Sequence, residues 1–369
     1  MPNPDIENMR ATIAGVTEGV TPLRSVDDPG LDHGGWAPQV LTPHNEQEEP
    51  TLLRVRGAGC LIYPGKTHLF QGETESGKTW LALVAAVEVL EAGGRVLWVD
   101  YEDTARTLAG RLWALRVDPA LWARVDYINP TGPLRGKDGV AHTGGAAHLA
   151  GLLRANTYGL AVIDGLSVAM GVEGLDMNSA NDVGAFYGRL PNVLAAHGAS
   201  VLLLTHVTKN AETRGKYALG SQAWNSNVSG AAYGVEVRRS WSRAKLDPVE
   251  GLVHVKVAKD RPGGVASTGT VVASVQVIST PDGCLEFRLR SPEDVVEVPP
   301  MPLVRAILDH VRTYPGASGS DIESHVSGKA EIVRAAKKWL VSQKLLTVEH
   351  VGRGHRHYVD ESVVEAQGY

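Results

Sequence analysis

Residues 72–79 read Gly-Glu-Thr-Glu-Ser-Gly-Lys-Thr, the pattern G-x-x-x-x-G-K-[ST]. No other stretch restricts the fold so severely, because such a loop works only between a strand and the amino end of a helix. Its glycines let backbone N–H groups turn inward around phosphate oxygens, and the first helical turn adds partial positive charge. Lys78 is placed to reach the β and γ phosphates of a nucleotide, and the Thr79 hydroxyl to ligate Mg2+. The flanks meet the demand. Residues 66–70 read as a short apolar strand, and residues 80–90 as a helix apolar nearly all round, hence buried. The expected phosphate-binding set is Gly72, Glu73, Thr74, Glu75, Ser76, Gly77, Lys78 and Thr79, with ATP and Mg2+ as the ligands.

Downstream, residues 95–100, 125–128, 160–164 and 200–205 are apolar runs without polar alternation. Helical stretches around 108–115, 146–155 and 180–196 separate them. Runs of this kind belong to strands covered on both faces, the mark of a parallel sheet. After residue 230 the texture changes to shorter strands with turns, at 231–237, 252–258, 270–277 and 284–289, which read as an antiparallel extension of the same sheet. The expected fold class is α/β: a mostly parallel sheet flanked by helices, an antiparallel extension, and a small carboxyl-terminal domain.

A chain of 369 residues exceeds one ordinary core, which points to that second module. Residues 1–50 carry nine acidic residues, two arginines, no lysine and seven prolines, a composition that reads as an acidic flexible arm. The ATPase core is expected over 51–290. A proline- and acid-rich linker follows at 291–300, then a module at 301–361 and a tail at 362–369. No apolar run approaches the roughly 18 residues a membrane span requires, so no membrane is expected as a partner. Cys60 and Cys284 fit neither a disulfide framework nor a zinc site, and a reducing, cytoplasmic setting is the expectation.

Hydrolysis needs a carboxylate near Mg2+ and a base that orients water. Asp164 ends the apolar strand 160–164 and suits the metal side. The strand after the phosphate-loop helix ends in Asp100-Tyr-Glu102-Asp103, at the carboxyl edge where open α/β sheets bind ligands. Three acids there compete for the role of base, and spacing alone does not choose among them.

These elements together resemble the RecA-like ATPases, within the branch of plasmid-type hexameric replicative helicases and related phage and actinobacterial ATPases. Tyr63-Pro-Gly-Lys66, Arg111-Leu112, His206-Val-Thr-Lys209, Arg214-Gly215 and Lys259-Asp-Arg261-Pro-Gly263 follow that branch's pattern over about residues 51–290. The resemblance implies that Glu102 activates water and that His206 senses the γ-phosphate, where many relatives carry glutamine. It implies that Lys259 and Arg261 reach a neighbour's γ-phosphate as an arginine finger. A site shared in this way exists only in a homo-oligomer, expected as a closed hexameric ring.

Residues 304, 307, 308 and 311 form the apolar face of a helix, Ser318 to Asp321 caps a second, and residues 330–344 make a third. Ile332, Ala336, Trp339 and Leu340 are expected inward, with Arg334, Lys337 and Lys338 on the outer face. Two strands around Gly352-Arg353-Gly354 complete what resembles a winged helix, with Arg353 and Arg356 on the wing. Residues 329–358 hold seven Lys or Arg against two acids, a net +5, inside a chain of net −5. That footprint suits duplex DNA. Lys209, Arg214 and Lys216 beside Tyr217 suit single-stranded DNA passing the core. The leading expectation is an ATP-driven DNA motor. The alternative is a nucleotide-gated DNA-binding regulator without unwinding activity.

Overall fold

A short hairpin, β1 (Leu52–Val55) and β2 (Gly59–Ile62), leads into β3 (Thr67–Gly72), the strand that ends in the phosphate loop. This computed structural model describes residues 47–367 apart from 136–143, 207–220, 242–249, 281, 295–298, 300 and 352–353. From β3 the chain alternates through α1 (Lys78–Glu91), β4 (Val96–Asp100), α2 (Ala105–Ala114), β5 (Val125–Ile128), α3 (Gly144–Ala155) and β6 (Leu160–Asp164). It continues through α4 (Leu166–Val172), α5 (Ala180–Arg189), α6 (Pro191–Ala196), β7 (Ser200–His206) and α7 (Ser221–Asn227). Four strands follow: β8 (Ala231–Arg239), β9 (Glu250–Asp260), β10 (Val271–Ser279) and β11 (Leu285–Arg290).

Nine of these strands form one sheet in the order β11-β10-β9-β8-β3-β7-β6-β4-β5, flanked by helices as in RecA-like folds. The unbroken apolar runs have a simple cause. Along β7, Leu202 and Leu204 join one core with α1 while Val201 and Leu203 join the other with α5, so both pleat faces are dry. Phe70 and Leu69 divide in the same way on β3. One expectation fails here. β8, read as the start of the antiparallel extension, runs parallel to β3, with Leu69 opposite Ala232 and Gln71 opposite Gly234. The reversal comes one strand later, between β8 and β9. The connection explains this: the chain passes from β7 to β8 through α7, a crossover that brings β8 in parallel beside β3, where Ala231, Ala232 and Tyr233 are buried as in a central strand.

The carboxyl-terminal elements are α8 (Met301–Thr313), β12 (Ala317–Ser318), α9 (Gly319–His325), α10 (Ala330–Ser342), β13 (Leu346–Val351), β14 (Gly354–Val359) and α11 (Glu361–Gln367). Three helices pack on an antiparallel sheet of order β12-β14-β13. Val304, Ile307, Leu308 and Val311 are buried as their spacing predicts, and the Ser318 hydroxyl accepts from Asp321 N at 3.1 Å to start α9. In α10, Ala336, Trp339 and Leu340 are buried as expected, but Val333 takes the inward place expected for Ile332. Val333 is fully buried, whereas Ile332 is 44% exposed. Both residues fit the helical phase, Val333 at i, i+3 and i+7 with Ala336 and Leu340, and packing against the rest of this core selects Val333. Val364 of α11 closes this core. Among the described residues no helix is long and apolar enough to cross a membrane.

Candidate nucleotide site

The phosphate loop sits at the carboxyl edge of β3. Glu73, Thr74 and Glu75 are exposed, whereas Gly72, Ser76, Gly77 and Lys78 are buried. The two glycines are required by space and by backbone. A Cβ on Gly72 would lie 2.4 Å from the Val235 carbonyl oxygen, and Gly77 has φ +95° with the Trp241 ring 3.0 Å from where a Cβ would stand. Trp241 also lies over Gly251, where a Cβ would come within 2.7 Å. The indole therefore fills a slot between two glycines and forms a wall of the loop. Nothing in the residues around Trp241 announces that role, which only the β8–β9 pairing brings about.

Lys78 Nζ donates to the carbonyl oxygens of Gly72 at 3.0 Å and Glu73 at 2.7 Å, and lies 3.3 Å from Ser76 Oγ. Burial lowers its pKa to about 8, against the opposing pull of Asp164 and Glu102. The Thr79 hydroxyl donates to Asp164 Oδ2 at 3.0 Å, so the two expected metal ligands already touch. Burial, with Asp100 adding to it, raises the Asp164 pKa to about 6, and the Thr79 bond offsets this only in part. Asp100 stands opposite Asp164 in the β4–β6 register.

The three competing acids separate by what they hold. Asp100 Oδ1 accepts from the backbone N–H groups of Glu102 at 3.0 Å and Asp103 at 2.8 Å, which makes it the clasp of the turn. Its Oδ2 is buried with no hydrogen-bond partner. Asp103 accepts from Arg111 at 3.0 Å and caps Thr104 N at 2.9 Å. Glu102 Oε2 instead lies 3.4 Å from His206 Nε2, and His206 Nδ1 lies 3.4 Å from Lys78 Nζ. His206 thus spans the lysine and the glutamate. Gly165, at φ +83°, makes room: a Cβ there would fall 2.5 Å from Glu102 Cγ.

Residues 38–212 match the family model of the AAA domain. This match supports an ATPase of the P-loop type, a kind that binds a nucleotide, usually with Mg2+. No curated protein shows a match to the chain. The residues of the site fit the metal. Thr79 and Asp164 would hold Mg2+, and Asp100, opposite Asp164 in the register, adds a buried carboxylate oxygen that has no hydrogen-bond partner.

Binding should depend on pH from both sides. Asp164 must have lost its proton to ligate Mg2+, and Lys78 must have kept its own to meet phosphate. Affinity for Mg2+–nucleotide is expected to be highest between about 6 and about 8, the values set by burial of the two groups. Outside that window it should fall by about tenfold per pH unit. A titration repeated without Mg2+ should lose the acid limb and keep the alkaline one; an unchanged acid limb would separate Asp164 from the metal.

The remaining candidates lie elsewhere. Lys259 Nζ donates to the carbonyls of Asn225 at 2.9 Å and Ser226 at 3.2 Å. Arg261 donates to those of Val228 at 3.0 Å and Ser226 at 2.7 Å. Asp260 between them ties two distant motifs together, accepting from Tyr63 Oη at 2.9 Å and Val265 N at 2.8 Å while Tyr63 Oη accepts from Gly264 N. Arg261 N bonds to Gly230 O, and Gly230 N to Thr67 O, so the finger motif is level with the amino end of β3. The phosphate loop begins five residues further along that strand, roughly 17 Å away.

In the carboxyl-terminal elements, Arg334 and Lys337 both donate to Glu323 of α9, at 2.9 and 3.1 Å. Lys337, expected on the outer face, keeps only 15% of its side chain exposed because it folds across Gly319 to reach that glutamate. Lys338 and Arg356 are exposed, and Arg356 donates to Gly316 O at 3.0 Å. Lys209, Arg214, Lys216 and Arg353 lie outside the described residues.

Proposed function

We propose that this protein is an ATP-hydrolysing motor that acts on DNA as a ring of identical subunits, in the manner of a replicative helicase. The observation that carries the reading is the division of the chemical groups between two edges of one sheet. Lys78, Thr79, Glu102, Asp164 and His206 gather at the carboxyl edge, whereas Lys259 and Arg261 stand at the opposite one. An arginine at that edge is out of reach of its own phosphate loop and presents itself to a neighbour's. Repeating a head-to-tail contact of this kind generates a closed ring when the rotation closes.

Within the site, Lys78 binds phosphate and Glu102 takes the proton of the attacking water. His206, touching both, reports on the γ-phosphate. Bound Mg2+ supplies charge neutralisation for the phosphates. The carboxyl-terminal helices and sheet are read as a winged helix that tethers the ring to duplex DNA, with Lys209, Arg214 and Lys216 offered to the single strand. A strand-displacement assay with ATP tests the motor. Nucleotide-dependent duplex binding without displacement at any ATP concentration would move the assignment to a nucleotide-gated regulator.

The pairing of Glu323 with Arg334 and Lys337 favours a second reading of the small module, as a surface for protein rather than DNA. Salt dependence discriminates. In the full chain, Arg334→Ala, Lys338→Ala and Arg356→Ala combined should weaken duplex binding and flatten log affinity against log salt by about 0.9 for each phosphate no longer neutralised. An unchanged slope and affinity would assign the module to protein binding.

A further inference from the structure

The small module holds a cluster that neither nucleotide chemistry nor DNA binding uses. His310 on α8 places Nε2 2.9 Å from Asp321 Oδ2, and His325, one turn after Asp321 on α9, places Nδ1 3.2 Å from Asp321 Oδ1. The two imidazoles stack with centroids 5.5 Å apart and an interplanar angle of 17°. One nitrogen from each histidine and one oxygen of Asp321 lie within 4.8 Å of one another.

We propose that His310, Asp321 and His325 form a transition-metal site, with Zn2+ as the fitting ion. Two imidazoles and a carboxylate are a borderline donor set of the kind Zn2+ takes, and three protein ligands leave a fourth position for water. Ligand atoms around a tetrahedral Zn2+ with bonds of about 2.0–2.1 Å stand about 3.3 Å apart. The two nitrogen–oxygen separations, 2.9 Å to Oδ2 and 3.2 Å to Oδ1, are near that figure, and the candidate ligand atoms, all within 4.8 Å of one another, need to close by at most about 1.5 Å. Asp321 and His325 share a face of α9 by their i, i+4 spacing, and His310 comes from the facing helix. His310 is nearly buried at 10% side-chain exposure while His325 is 62% exposed, so the site is anchored on one side and open to an entering ion on the other.

Binding requires ligand nitrogens that carry no proton, so a proton shared between His310 Nε2 and Asp321 moves to Nδ1 or to solvent as the ion enters. His325 Nδ1 lies 3.0 Å from Asp321 O and 3.1 Å from Ser324 Oγ, contacts that the ion replaces unless Nε2 is the ligand. The ion would pin α9 to α8. Because α9 carries Glu323, it would also steady the support on which Arg334 and Lys337 of α10 lean.

The test is Co2+ titration of the metal-stripped full-length protein without nucleotide, read by the visible absorption of tetrahedral Co2+. One equivalent is expected, displaced by Zn2+, with affinity at least tenfold lower in His325→Ala. Asp321→Asn serves as a second variant should the first fail to fold, and His355→Ala, in the β13–β14 hairpin, should bind as the parent does. Absence of the absorption in the parent overturns the site. So does an absorption with parental affinity in both His325→Ala and Asp321→Asn.

Discussion

Glu102→Gln is expected to bind Mg2+–ATP with near-parental affinity while turnover falls by about 10²- to 10⁴-fold, the range a positioned base contributes. The assignment rests on what the neighbouring acids already do. Asp100 spends one oxygen on two backbone N–H groups, and Asp103 is held by Arg111 and the start of α2. Only the Glu102 carboxylate turns toward His206 and, through it, toward Lys78. Lys78 touches phosphate before any chemistry, so Lys78→Ala should lose binding and turnover together. His206→Gln should retain measurable hydrolysis, since an amide can still span the two groups. Equilibrium nucleotide binding paired with phosphate release separates these outcomes. Parental turnover in Glu102→Gln, with loss in Asp103→Asn, would move the base one residue along the turn.

Arg261→Ala should lower turnover by about 10³- to 10⁵-fold, the worth of a finger, while leaving nucleotide binding by the isolated subunit intact. The decisive form of the experiment mixes it with Glu102→Gln. Each variant is inactive alone, because every interface lacks one member. In exchanging assemblies some interfaces join an intact Glu102 site to an intact Arg261, and a fraction of turnover should return. No recovery, with exchange shown by labelled subunits, would mean that Arg261 acts within its own chain or only caps α7 through Ser226 and Val228.

The parts legible in the sequence are those in which one local pattern dictates one geometry. The phosphate loop implies its strand and helix, and the unbroken apolar runs imply strands covered twice. Asp164, at the end of such a run, meets Thr79 at the same sheet edge for that reason. What stays hidden depends on neighbours distant in the chain. The direction of β8 is decided by its place beside β3, and its few residues of pattern do not encode that. Trp241 gains its role because Gly77 and Gly251, 174 residues apart, both lack a side chain. Gly165 is readable in principle, since a glycine directly after a strand-ending aspartate suggests a left-handed backbone, but the clash it avoids involves Glu102, in the turn after β4. At Ile332 and Val333 two adjacent apolar residues both suit the helical phase, and the packing partners that choose between them lie elsewhere in the module.

The side-by-side carboxylates of Asp100 and Asp164 reach beyond catalysis to the lifetime of the protein. Folding lifts Asp164 from the ordinary value of 3.8 to about 6, so the folded chain carries an energetic cost above pH 6 that is relieved as pH falls toward 3.8. Two pKa units correspond to about 3 kcal/mol, a sizeable share of the stability of a typical domain. Asp164→Asn should accordingly melt several degrees higher than the parent at neutral pH, even as it loses its metal. Nucleotide and metal relieve the same cost from outside: a ligand at 100 times its Kd adds about 2.7 kcal/mol to the folded state. A cell running short of nucleotide would therefore leave this chain more open to proteolysis, and its abundance would follow the energy supply.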